Sequence, residues 1–517
     1  MSDVKQGLIT GNTNKFLRYW FEIDMNKFNS SIEKDNDPNI YNFTWFPYNK
    51  GGDFRKWYGN HDYVINWSNN GEEIKNYKNE NGKLKSMPQN LQYSFKQSIS
   101  WSAITSSDIS FRFYPNGFLF DVSGSSIFID ENNIYYILGL LNSRVSQELL
   151  NIISPTINYS AGYISLIPII LKDEQIINIL VKRNIELSKD DYDHYETSWN
   201  FKYHPLLLFK NSSIEKSYFN WENFKIKNFN ELKNNEIELN KIFSKIYNVK
   251  LENNVNNNQI SLKIANYKTD IKSFISYAIG CMFGRYSLDE EGLQFAGGEF
   301  DINNYHKFIP ADDNIIPVLD TAYFDDDIVG YFTKFVETCF GSGKLEEKLD
   351  FITEALSTTN KPSRDIIRDY LLKNFFNDHK KTYKKCPIYW QFSSGKENGF
   401  NCLVYMHRYE PSLVARIRTY YLHKTQKAIE QRIENNNNII NNSTSKQEVA
   451  KATKEKAKLQ KQLKETQEYD EVLAHIVNQN IEIDLDDGVK TNYAKFQNIE
   501  IKKEGSKTRK VNLLKKI

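Results

Sequence analysis

The 517-residue chain is 40% hydrophobic and 14% aromatic, enough apolar material for more than one core and too much for a disordered tail. Its 67 basic and 65 acidic residues leave a net charge of only +2, so a nucleic-acid binder of this composition must segregate its charge into local patches. Four scattered cysteines without a C-x-x-C pair, together with eight histidines, argue against a clustered zinc site. The absence of an apolar signal core or a run of about 18 apolar residues leads to the expectation of a soluble, cytoplasmic protein without a membrane span.

In chain order, residues 1–175 read as an α+β unit with a mixed sheet. Strand-like runs occur at Asp62–Trp67, Ser110–Tyr114, Phe118–Val122 and Ile127–Ile129, where aromatic and β-branched residues sit between Gly, Asn and Pro turns. One helix is expected from about Asn133 to Ile153, ended by Pro155, and then a buried strand at Ile164–Leu171. Residues 176–260 read as a helical connector. Residues 261–410 read as an α-rich domain, with helices near 270–284, 325–339, 345–357 and 363–378 and flanking strands at Pro387–Trp390 and Asn401–Met406. Residues 411–480 read as an antiparallel αα-hairpin: a helix from Ser412 to about Glu434, an Asn-rich loop through Asn442, and a second helix from about Ser445 to Asn478. Val449, Ala452, Leu459, Leu463, Leu473 and Val477 approximate a heptad seam on that second helix. Residues 481–517 form a tail with a basic end that includes Lys502, Lys503, Lys507, Arg509, Lys510, Lys515 and Lys516. That end is either solvated or in contact with a DNA backbone.

Catalytic signatures are missing. An amino-methyltransferase needs a turn of the Asn-Pro-Pro-Tyr type to hold a flipped base, and none of the 12 prolines is adjacent to another. No Gly-rich turn follows an apolar strand in a βαβ context, so no nucleotide or S-adenosylmethionine pocket is visible. Gly341-Ser-Gly-Lys344 lacks P-loop spacing and reads as a helix-cap turn. Asp62 with Glu73 and Lys75 can be forced into a nuclease pattern, but such spacing is common by chance. No catalytic, cofactor-binding or metal-binding residue is therefore assigned.

Three segments carry residue types suited to DNA. Asn49-Lys-Gly-Gly-Asp-Phe-Arg-Lys-Trp-Tyr-Gly-Asn60 combines Lys50, Arg55 and Lys56, which could neutralise phosphates, with Tyr58 and Asn60. The plainer reading is a solvated loop with Trp57 and Tyr58 in the core. Ser98–Ser107 is rich in hydroxyls, and Ser102 and Ser106 are candidates for phosphate oxygens, against an ordinary turn. Arg112, between Phe111 and Phe113, is either a surface charge or a groove-facing reader.

Several long blocks in a fixed order resemble a known family. Gly7-Leu-Ile-Thr-Gly11, Trp45-Phe-Pro-Tyr-Asn-Lys-Gly-Gly52, Arg55-Lys-Trp-Tyr-Gly59, Phe120-Asp-Val-Ser-Gly124 and Leu140-Leu-Asn-Ser143 are similar to the target-recognition domain of the BREX phage-defence methyltransferases of the PglX family. The block at Leu140–Ser143, with Thr156 and Asn158, is also similar to type I and type IIG restriction-modification recognition domains. Glu196-Thr-Ser-Trp199, Ile271–Asp289, Pro387–Trp390, Tyr405–Tyr409 and Ile483–Val489 extend the resemblance over nearly the whole chain. The resemblance implies a C-terminal half, consisting of target-recognition and C-terminal domains without the methyltransferase domain. It implies double-stranded DNA as ligand, read for adenine-N6 methylation, and S-adenosylmethionine held only by the missing domain or a partner chain. It also implies other BREX defence proteins as partners and a phage DNA-mimic as inhibitor. An alternative reading makes the chain an interaction module or decoy for those defence proteins, with the αα-hairpin as its docking element.

Overall fold

The computed structural model describes residues 3–33, 37–154, 156–501 and 509–517. The chain forms two compact units: Met1–Pro205 with Tyr218–Asn266, and Leu206–Ser217 with Tyr267–Ile517. Both mix helices and sheet, so the chain is α+β as its patterning indicated.

The first unit holds two four-stranded sheets. One has the order β1 (Asp3–Lys5), β8 (Ser126–Phe128), β5 (Ser98–Trp101), β6 (Phe111–Tyr114). The other runs β2 (Leu17–Tyr19), β4 (Tyr63–Asn66), β3 (Trp45–Asn49), β7 (Leu119–Phe120). All pairings are antiparallel except β3 with β7, so the second sheet is mixed. In β5 and β6 the register Ile99↔Phe113 and Trp101↔Phe111 lines up large apolar side chains across the ladder, the pairing that contributes most to sheet stability. Around the second sheet, Leu17, Phe46, Tyr48, Ile65, Trp67, Phe95 and Leu119 form one core.

The core on the first sheet is completed by helices. The expected 133–153 helix is two helices, Ile134–Leu141 and Arg144–Ile153. Asn142 ends the first helix, its N–H still donating to Leu138 O, while its side chain bonds the backbone of β6: Phe111 N–H donates to its Oδ1 at 3.0 Å, and its Nδ2 donates to Phe111 O at 3.0 Å. Ser143 then caps the second helix by accepting from Ser146 N–H. Pro155, the expected helix terminator, lies outside the described residues. Helix Glu174–Asp193 crosses Ile134–Leu141 at Gly139, where a Cβ would sit 2.8 Å from Val181 Cγ2. Ile177, Val181, Leu232, Leu239 and Phe243 share this core with Trp57, Ile99, Trp101 and Phe111. The stretch read as a connector is therefore built into the unit through Glu174–Asp193 and most of Ile214–Ile246.

Residues 164–171 are not a buried strand. A short helix, Ala161–Ile164, is followed by irregular chain, and Leu166, Ile169, Ile170 and Leu171 are exposed. The carbonyls of Pro168 and Ile170 accept from the hydroxyls of Tyr247 and Tyr136. Tyrosines thus take acceptors that a neighbouring strand would have used.

The second unit is helical around a small sheet. Tyr267–Met282, Ile328–Phe340, Leu345–Glu354, Ser363–Lys373 and Phe375–Thr382 are its main helices. Its sheet joins β10 (Tyr389–Ser393), β11 (Asn401–Tyr405) and β9 (Ile316–Pro317). Gly341, at φ +80°, caps a helix as the sequence indicated. All four cysteines are buried and none is in a disulfide. The first arm of the hairpin is longer than its sequence suggested. After Leu413–Arg416 and a π-helical turn at Ile417–Leu422, helix His423–Asn442 runs straight through the Asn-rich stretch. Asn436 is buried there and its Nδ2 donates to Arg432 O at 2.9 Å, so tertiary packing overrides a weak local propensity. Ser445 caps the return helix Lys446–Val477, whose buried face includes Ala452, Leu459, Gln462, Thr466, Tyr469 and Leu473. The chain ends in β12 (Ile499–Ile501) and β13 (Arg509–Val511). Lys502, Lys503 and Lys507 of the basic tail lie outside the described residues. Arg509 and Lys510 pair with Glu468 and Glu500, and burial pulls the Lys515 ammonium below its usual range. Among the described residues no helix is long and apolar enough to cross a membrane, and no group of three or more His, Cys, Asp or Glu is placed to hold a metal ion.

Candidate nucleic-acid interface

The β3–β4 loop, 49–62, has an inward and an outward half. Backbone bonds from Trp57 N–H to Phe111 O (2.9 Å) and from Phe113 N–H to Trp57 O (2.8 Å) dock its middle on β6. Trp57 is thereby held at φ +71°, a left-handed conformation that needs surrounding packing to persist. The docking turns both basic residues inward. Lys56 is 5% exposed, and its Nζ donates to Glu236 Oε2 at 2.7 Å. Trp57 Nε1 donates to the other oxygen of the same carboxylate at 2.8 Å. Arg55 Nη2 donates to Asp191 Oδ2 at 2.8 Å, and Lys225 donates to Asp191 Oδ1. Burial alone would raise the Asp191 carboxyl, but Lys225 and Arg55 hold it below its usual value.

Arg112 is also interior, with no exposed surface. Its guanidinium donates to Arg55 O and to Ser102 Oγ, each at 3.2 Å. Ser102 in turn donates to Gly52 O at 2.6 Å and is buried. Tyr58 packs edge-on to His61, 4.6 Å between centroids, inside a cage completed by Tyr114, Phe118, Tyr192 and Trp199. Burial, with Arg112 and Arg55 nearby, lowers the His61 pKa to about 3. The structure therefore corrects the surface roles expected of Arg55, Lys56, Tyr58, Ser102 and Arg112. Each belongs to a buried polar and aromatic latch that fastens the loop to the helices, because a cation inside a core requires a carboxylate or carbonyl partner. Asn60 is half-buried at φ +62°, its Nδ2 donating to Asp53 O at 2.9 Å.

The outward half keeps Lys50, Gly52 and Asp53 at the surface, with Lys50 Nζ 3.9 Å from Asp121. Three further loops are stitched beside it. Ala103 N–H donates to Ser123 O at 2.9 Å, Tyr159 N–H to Ala103 O at 2.8 Å, and Thr105 N–H to Ile157 O at 3.1 Å. Buried Asn49 reaches Gly124 O at 2.9 Å and Ser100 Oγ at 2.7 Å from below. Gly124 is required there, since a Cβ would lie 2.5 Å from Asn49 Oδ1. The result is one surface drawn from loops 49–53, 102–108, 121–125 and 156–159. Ser106, Ser107, Ser123 and Asn158 are exposed on it. Ile104 and Ile157, on paired segments, are 68% and 61% exposed. Hydroxyl and amide groups can meet phosphates and base edges, and an exposed isoleucine can meet a thymine methyl. Of the candidate residues, Lys50 and Ser106 lie on this surface. Ile104, Ile157 and Asn158 were not singled out as contacts, although Thr156 and Asn158 stood in the motif carrying the resemblance.

The second unit contains a cleft of about 610 Å³ lined in part by Arg408, Arg416, Glu299, Asp301, Asp312 and Glu410. Arg408 spends its guanidinium on the carbonyls of Phe283, Ala311 and Asp312 and lies 3.5 Å above the Phe300 ring. Burial lowers its pKa to about 10. Carboxylates outnumber cations on the cleft wall, which disfavours phosphate.

No family model matches the chain. It is 40% identical over 510 residues to the adenine-specific methyltransferase PglX of Lacticaseibacillus casei (strain Zhang). It is 37% identical over 525 residues to the adenine-specific methyltransferase BrxX of Escherichia coli O9:H4 (strain HS). Each alignment takes in 95% of this chain but 42% of the relative, so the chain spans well under half the length of either. The protein is thus related, along nearly its entire length, to a part of the adenine-specific methyltransferases PglX and BrxX.

Proposed function

We propose that the chain is the DNA-recognition portion of an adenine-N6-specific DNA methyltransferase of a BREX phage-defence system, and that it does not transfer methyl groups by itself. One observation carries this reading: four loops of the first unit, locked from beneath by Asn49, Ser102 and Arg112, present Ser106, Ser107, Asn158, Ile104 and Ile157 on a single rigid surface. Such an array suits base readout, because the scaffold, not the contacting side chains, fixes the geometry. The similarity to PglX and BrxX supports the assignment, as does the lack of any Pro-Pro turn in the sequence. S-adenosylmethionine would then be held by a methyltransferase domain or chain acting with this one. The test is selection of bound duplexes from a randomised pool by the purified chain. Enrichment of one short sequence is expected; recovery without enrichment at low and high salt would overturn sequence recognition.

A second reading, a protein-interaction module or decoy within the defence complex, is favoured by the exposed apolar run from Tyr163 to Ile179. Seven large apolar side chains left exposed within 17 residues suit a protein-binding face better than a DNA-binding one. The two readings are compatible if that face receives the methyltransferase portion.

A further inference from the structure

The return helix of the hairpin carries a charge pattern that the fold does not consume. Residues 446–464 contain seven lysines and only two carboxylates, Glu448 and Glu455, whereas 465–471 contain four carboxylates and no lysine or arginine. At about 100° per residue, Lys446, Lys451, Lys454, Lys458, Lys461 and Lys464 fall within an arc of about 140° and climb about 27 Å along the axis. All six are exposed.

The neighbouring carboxylates are turned elsewhere. Glu448 accepts from Ser443 Oγ at 2.6 Å, and Glu455 pairs with Arg432. Glu465 accepts from Ser394 Oγ, Glu397 N–H and Gly399 N–H at 2.7, 2.8 and 3.1 Å. Lys458 reaches Asp320. Among the described residues, Lys446, Lys451, Lys454, Lys461 and Lys464 enter no ion pair. The lysines repel one another, so the arc costs stability that nothing within the hairpin returns.

We propose that this arc is a sequence-independent contact surface for the phosphate backbone of duplex DNA. The assignment rests on the DNA-recognition reading above and adds a second contact surface, on the other unit. Charge complementarity selects the occupant: lysine is a compact point charge suited to phosphate, and an arc of about 27 Å matches about eight base pairs of one strand. The acidic segment 465–471 ends the track, since a phosphate there meets like charge.

The test replaces four lysines at once, Lys451→Gln, Lys454→Gln, Lys461→Gln and Lys464→Gln, in the full chain. Glutamine keeps helix propensity, and circular dichroism checks that helicity is unchanged. Affinity for a random-sequence duplex of about three helical turns is measured across a salt series. The variant is expected to bind about tenfold or more weakly at low salt, with the slope of log affinity against log salt shallower by about two units or more. The corresponding Lys→Arg variant restores both. Unchanged affinity and slope in a fully helical variant overturn the assignment, as does weaker binding confined to RNA or to polyglutamate. A wild-type chain without salt-dependent affinity for duplex DNA takes the DNA-recognition reading down as well, whereas binding by wild type and variant alike removes the hairpin alone.

Discussion

Lys56 and Glu236, 180 positions apart, form a buried ion pair at 2.7 Å that ties the β3–β4 loop to helix Ile214–Ile246. Both groups are buried, so removing one strands the other. Lys56→Ala is expected to cost about 3–5 kcal/mol, read from chemical denaturation. Pairing Lys56→Met with Glu236→Gln should recover most of that loss, since the glutamine carbonyl still accepts from Trp57 Nε1. A Lys56→Ala protein as stable as wild type but poorer at binding DNA would return this lysine to the surface.

His61 gives the first unit an acid-side weakness. Its folded pKa of about 3 lies below its ordinary 6.5, so the unfolded chain takes up a proton that the folded chain refuses. The sign follows: stability is fully present above about pH 6.5 and falls by about 1.4 kcal/mol per pH unit as the pH drops from there towards 3. Asp191, also held low, pulls the same way at still lower pH. His61→Phe fits the aromatic cage and should flatten the decline in melting temperature between pH 7 and 5.5. An equal decline in both proteins would place a charged histidine in the fold.

The proposed recognition surface predicts position-specific effects. Asn158→Ala or Ser106→Ala should cost about 1–3 kcal/mol against one base position of the selected sequence and little elsewhere. Ile104→Ala and Ile157→Ala should act at thymine positions, where replacing thymine by uracil in the duplex reproduces the loss. Uniform weakening over all sequences would demote these residues to general contacts.

The exposed run at 163–179 separates the two functional readings. Leu166→Lys with Ile170→Lys places charge where apolar side chains already meet water, so the melting temperature of the isolated chain should stay within about 2 °C. Co-purification with a separately expressed methyltransferase portion should be lost, with DNA binding retained. Retained association would leave that face without a protein-docking role.

The strands at 63–66, 111–114 and 126–128 and the helices at 267–282 and 328–340 were legible because alternation and helical spacing are local signals. The break at Asn142 was not, because nothing nearby in sequence announces a bond to Phe111. Nor was the helical course of 435–442, where asparagine composition argued for a loop and the buried Asn436 decided otherwise. The candidate site was half legible. Composition picked out the 49–60 and 98–107 segments, of which Lys50 and Ser106 lie on the proposed surface. The charges of Arg55, Lys56 and Arg112 were visible, but their partners, Asp191, Glu236 and Ser102, are set by the fold.

The stitching of the four loops relies on main-chain atoms and on buried Asn49 and Ser102. The outward side chains at 104, 106, 157 and 158 therefore carry no part of the scaffold. Those positions can be rewritten one at a time, each change altering surface chemistry while loop paths and stability stay fixed. Such a surface separates the scaffold from the contact chemistry, and it offers protein engineers freedom at four positions.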